Sequence, residues 1–83
     1  MNWKRFRDGY LAGDKFGYYF VRQEFNYAVS ANRWVAEYED GRGGTFRGKG
    51  RTTGNPQGYD RLIDAQKACD EISQDIARNL GRV

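Results

Sequence analysis

Arg42, Arg47, Lys49 and Arg51 lie in a glycine-rich stretch, Gly41 to Tyr59, that holds no acid. Cations spaced in this way can follow a line of phosphates and displace the counterions condensed on them. Upstream, Arg33 stands beside Trp34. Such a pair can stack an indole on a base or sugar while the guanidinium meets phosphate. Phe46 between Thr45 and Arg47, and Tyr18 and Tyr19 near Arg22, repeat the combination. Arg33, Trp34, Arg42, Arg47, Lys49 and Arg51 are therefore the expected contacts to nucleic acid or another partner. Trp34 is equally suited to a core, and the basic stretch to a solvated connection. A further basic group, Lys4, Arg5 and Arg7, opens the chain, whereas acids slightly outnumber bases from Asp60 onward. The positive field is expected at the N-terminus and along the glycine-rich loop.

Catalytic chemistry has little to work with. The chain has no histidine, which removes the commonest general base and the commonest metal ligand. Its single cysteine, Cys69, has no imidazole to activate it and no partner for a disulfide or zinc cluster. Asp60, Asp64, Asp70 and Asp75 read as a solvated helix face rather than a metal site. The glycine-rich stretch lacks the Gly-Lys-Ser/Thr ending of a nucleotide-binding loop. A metal-independent ribonuclease built from Arg, Lys and Tyr is the surviving enzymatic alternative. The expectation is a non-enzymatic protein with no metal and no cofactor.

The elements that position these residues follow from periodicity. Leu62, Ala65, Cys69, Ile72, Ile76 and Leu80 recur every three or four residues, with charged residues between them, which predicts a helix over 60–80. Asp60 suits its N-cap and Gly81 its end. Phe16–Arg22, Phe25–Val29 and Trp34–Tyr38 are aromatic and β-branched runs of strand length. Ser30–Arg33 and Asp40-Gly41 suit turns, with Gly44–Arg47 returning as a short strand. Gly48–Gly58 predicts no regular structure. The N-terminal dozen fits a helix or a strand, since Trp3, Phe6 and Tyr10 have helical spacing while Gly9 and Gly13 oppose it. The fold class is α+β: a three- to four-stranded antiparallel meander against one long C-terminal helix. Eighty-three residues predict a single domain over 1–83, with an N-terminal element over 1–13, strands over 14–47 and a basic loop over 48–58.

Thirty per cent charged residues and no long apolar run argue against a membrane span, and the first residues do not read as a signal peptide. A small domain in an oxidising compartment usually carries several cysteines, so a cytoplasmic setting is expected. Six Tyr, five Phe and two Trp must supply most of a small core, with Cys69 as a buried, inert thiol.

Trp34-Val35-Ala36-Glu37-Tyr38, Asp40-Gly41-Arg42, Gly44-Thr45-Phe46 and Asp64-Ala65-Gln66-Lys67-Ala68-Cys69-Asp70 together resemble AP2-type domains and the arm-binding domains of phage and transposon integrases. The resemblance runs from Ala28 to Ile72. It implies a sheet that enters the DNA major groove, with Arg33, Trp34, Arg42 and Arg47 as contacts. The 48–58 loop is longer than the corresponding connection in those families. A second resemblance is to double-stranded-RNA-binding domains, although Asp60 and Asp64 stand where lysines are usual there. The chain is also similar to small basic phage inhibitors, including anti-CRISPR proteins, which implies an alternative role as a protein-binding inhibitor of a host nuclease or ribonucleoprotein complex.

Overall fold

The computed structural model describes residues 1–40, 51–52 and 57–80, with backbone alone for 51–52 and 80. Five antiparallel strands follow one another across a single sheet: β1 Lys4–Phe6, β2 Gly9–Asp14, β3 Gly17–Asn26, β4 Ala31–Asp40 and the two-residue β5 Arg51–Thr52. Helix α1, Leu62–Leu80, packs on one face. This is the α+β meander and C-terminal helix read from periodicity.

Strand alternation decides what the helix covers. Tyr10, Tyr19, Val21, Trp34, Ala36 and Tyr38 turn toward it and meet Leu62, Ala65, Cys69 and Ile72. Tyr19, Val21, Ala36, Ala65 and Cys69 are fully buried. Ala65 and Ala68 let the helix approach closely, while Tyr rings fill the remaining depth. Asp14 locks the layers together. Its Oδ1 accepts from the Phe16 and Gly17 amides at 2.8 and 3.2 Å, and its Oδ2 accepts from the Ser73 hydroxyl at 2.6 Å and the Tyr19 hydroxyl at 3.2 Å. One carboxylate thus caps the β2–β3 turn and ties it to the helix. On the sheet's other face, Phe6, Leu11, Phe20, Val35 and the Arg22–Glu37 pair form a second layer.

Several boundaries differ from the sequence reading. Phe16–Arg22 and Phe25–Val29 are not two strands: β3 runs unbroken to Asn26, through the polar Gln23 and Glu24. The turn falls at 27–30, not at Ser30–Arg33, because Asn26 Oδ1 accepts from the Ala28 and Val29 amides at 2.9 and 3.3 Å and Ser30 takes the left-handed φ of 51°. The N-terminal dozen is a β-hairpin. Gly9 fits that hairpin for a steric reason, since a Cβ there would run into the Val21 carbonyl oxygen. Within 48–58, where no regular structure was expected, Arg51 and Thr52 pair with Tyr38 and Glu37. Asp60 is not the N-cap: the helix starts at Leu62, and the Arg61 carbonyl accepts from the Asp64 and Ala65 amides at 3.2 and 3.3 Å. Asp60 pairs with Arg33 instead. The expected strand Gly44–Arg47 and the stop at Gly81 lie outside the described residues.

Burial makes two groups hard to ionise. The Cys69 thiol is pushed up to about 12 by burial and by the nearby Asp70 charge. Tyr19 is likewise raised to about 12, chiefly by burial. Both are raised in the folded chain, so the stability they contribute is intact below about pH 8.5, the ordinary thiol range, and is lost as pH climbs toward 12. Thiol reagents are expected to leave Cys69 untouched in the native protein at pH 7–8, with labelling rising only as alkali or denaturant unfolds it. Rapid native labelling would remove Cys69 from the core.

Candidate functional site

Charge pairing separates the cations into two groups. Arg22, Arg33, Arg61 and Arg78 each meet a carboxylate within 4.0 Å. Lys4, Arg5, Arg7, Lys15 and Lys67 meet none among the described residues. Three of these five lie together in the N-terminal hairpin.

That hairpin interleaves its cations with rings. Arg5 and Tyr10 are cross-strand partners, and the guanidinium lies 5.0 Å from the Tyr10 ring centre. Arg7 occupies the two-residue turn with φ of 55°, a left-handed conformation uncommon outside glycine. Its guanidinium lies 4.9 Å from the Phe6 ring, and Phe6 stands edge-on to Phe20 at 5.8 Å and 89°. A half-buried ring, itself resting on the buried Phe20, therefore braces the exposed cation. Alternation sends Lys4 and Phe6 to the face away from the helix, beside Leu11, Gly13 and Tyr18, and sends Arg5 with Tyr10 to the helix face, so the hairpin carries cations on both sides. Lys4, Arg5, Phe6, Leu11, Gly13 and Tyr18 are among the residues lining an open groove of about 420 Å³. The Tyr18 ring lies against Gly13, where a Cβ would approach its edge to 3.1 Å. Glycine at that position lets the ring lie along the groove.

The residues singled out from sequence are placed differently from one another. Trp34 faces the helix, packs against the core and stacks at a tilt near Tyr10, with centroids 6.2 Å apart. Its backbone exchanges two 2.8 Å hydrogen bonds with Tyr59. Arg33, one residue away, points to the opposite face and ties down the segment before the helix: Nε donates to the Gln57 carbonyl at 3.3 Å, Nη2 to the Gly58 carbonyl at 2.9 Å, and Nη1 to Asp60. The structure therefore does not bring the Arg33 and Trp34 side chains together. Arg42, Arg47 and Lys49 lie outside the described residues, and Arg51 is described by its backbone in β5 alone.

At the centre of the open face one cation is held between two carboxylates. Arg22 Nε donates to Glu37 Oε1 at 2.7 Å, and its Nη1 lies 3.0 Å from Glu24 Oε2. Burial opposes the Arg22 charge, but the hydrogen bond and charge of Glu37 outweigh it and raise its pKa. Sequence reading missed Phe6, Tyr10 and Tyr18 as partners of the N-terminal cations. The available signal was the alternation Lys4-Arg5-Phe6-Arg7 followed at hairpin distance by Tyr10.

No family model, curated protein or solved structure matches this chain.

Proposed function

We propose that this protein is a non-enzymatic nucleic-acid-binding module that grips phosphates through its N-terminal hairpin and stacks a base in the adjoining groove. The observation that carries the reading is the cluster of Lys4, Arg5 and Arg7, without carboxylate partners among the described residues and set among Phe6, Tyr10 and Tyr18. Unneutralised cations supply affinity for phosphate, and an aromatic ring beside them supplies a sequence-tolerant platform for an unpaired base. Single strands suit this site better than a duplex, because duplex bases are already stacked on one another. Arg22, opposed by Glu24 and Glu37, adds little to the field of the sheet's open face. Arg42, Arg47, Lys49 and Arg51 extend the same basic character and are proposed to add phosphate contacts.

Titration of a labelled single-stranded oligonucleotide tests the proposal. Binding is expected at low salt and should weaken steeply as salt rises. Tyr18→Leu should cost about 1–3 kcal/mol of that affinity, the range for losing one stacked base, with the salt dependence nearly unchanged. Absence of measurable binding at low salt would overturn the reading.

A further inference from the structure

The β3–β4 hairpin carries an open strand edge. β2 pairs with β3 only as far as Gly9 opposite Arg22, leaving Gln23–Asn26 without a strand neighbour on that side among the described residues. The tight turn between Asp14 and Gly17 makes these two a hydrogen-bonded pair, so alternate β3 residues direct their amide and carbonyl toward β2. Continued past Arg22, this alternation makes Gln23 and Phe25 the residues whose backbone groups face the open side. Among the described residues, no hydrogen bond outside the β3–β4 ladder meets these backbone groups. Free edges of this kind template the addition of another strand, and proteins commonly guard them with charge, proline or a bulge.

Glu24 is the one charged residue on Gln23–Asn26, and Arg22 Nη1 pairs with it at 3.0 Å. Phe25–Asn32 contains no charged residue, in a chain that is 30% charged. Phe25 is 46% exposed and Tyr27 86%, their rings meeting edge to face at 4.8 Å. The arm is also braced, because Asn26 Nδ2 and Arg33 Nε both donate to the Gln57 carbonyl, at 3.4 and 3.3 Å. A braced edge with an exposed ring, and with its single charge already paired, loses little freedom when it gains a strand.

We propose that this edge pairs antiparallel with the same edge of a second copy of the chain, about a two-fold axis at Phe25. A two-fold axis normal to the sheet sets residues of equal parity opposite each other. Two registers use the Gln23 and Phe25 groups. One centres on Glu24 and opposes two like carboxylates. The other centres on Phe25, sets Phe25 against its copy and Glu24 against Asn26, and opposes no like charges. Aromatic cross-strand pairs stabilise and like charges directly opposite destabilise, which selects the second register.

Sedimentation of the isolated protein, free of nucleic acid, tests this apart from the binding function. A weak monomer–dimer equilibrium is expected below about 1 mM, as suits a small interface. Phe25→Lys and Phe25→Glu, each alone, should raise the dimer dissociation constant about tenfold or more by setting like charges on the axis. Mixing the two variants one to one should restore association, since the axis then holds opposite charges. Unfolding curves of both variants should show that the monomer remains folded, because Phe25 lies outside the core. A wild-type monomer throughout that range, including one that binds a different protein through this edge, would overturn the proposal. So would a dimer indifferent to both substitutions, or one that the mixture does not restore.

Discussion

Arg22→Ala is expected to destabilise the fold by about 3–5 kcal/mol, the range for stripping one partner from a buried ion pair. Glu37 is only 2% exposed, and among the described residues Arg22 Nε at 2.7 Å is the cation that compensates its charge. Removing that guanidinium leaves a buried carboxylate, set opposite Phe20 in the sheet, without that counter-charge. Domains of this class carry about 5–15 kcal/mol in total, so the variant should be marginal at room temperature. The cause is the orphaned charge rather than the lost contact, and the two are separable. Arg22→Met combined with Glu37→Leu removes both charges and keeps the volume, and should recover much of the loss, since apolar replacement of a buried pair is often neutral or better. Denaturant midpoints of the single and double variants provide the check. Equal destabilisation by both would mean that the pair acts through packing alone.

That pair also marks the limit of what the sequence discloses. Glu37 was legible only as the residue facing away from Trp34 and Tyr38. Its burial depends on the register that sets Arg22 opposite Val35 and Phe20 opposite Glu37, and register is a property of two distant segments and the turn between them. The helix was readable because its pattern is local: the period set by Leu62, Ala65, Cys69, Ile72 and Ile76 needs no partner to be recognised. The cap differs from its local pattern because Asp60 is engaged by the distant Arg33, while the helix starts at Leu62. The N-terminal hairpin was obscured by the helical spacing of Trp3, Phe6 and Tyr10, even though Gly9 and Gly13 oppose a helix. Their fitness appears only once the Val21 carbonyl and the Tyr18 ring are seen beside them. For the candidate site, Lys4, Arg5 and Arg7 were legible as a charge cluster, while their rings were not, because Tyr18 reaches the groove from another strand. Arg33 and Trp34 looked like one site as neighbours in sequence, yet adjacent strand residues point to opposite faces.

The second large effect concerns the hairpin cations. Lys4, Arg5 and Arg7 together account for three phosphate contacts in the proposed interface. Each contact to a single strand contributes about 0.7 to the slope of log affinity against log salt, so their joint loss should weaken binding about a hundredfold near 0.1 M salt. Glutamine is the informative replacement at all three positions. It keeps an aliphatic stem over Tyr10 and Phe6 and removes only the charge. The fold should be nearly unaffected, because none of the three meets a carboxylate among the described residues and surface charges of this kind contribute little to stability. Preference among base sequences should also persist, as phosphate contacts position a strand without reading it.

The salt dependence itself is the most direct measurement of the central claim. Titrating one single-stranded oligonucleotide across a series of salt concentrations, with the native protein and with the Lys4→Gln, Arg5→Gln, Arg7→Gln variant, yields two slopes. The variant's slope is predicted to be shallower by about 2 units, with the unfolding midpoint unchanged. Two identical slopes, with affinity retained in the variant, would contradict the assignment of phosphate binding to the N-terminal hairpin.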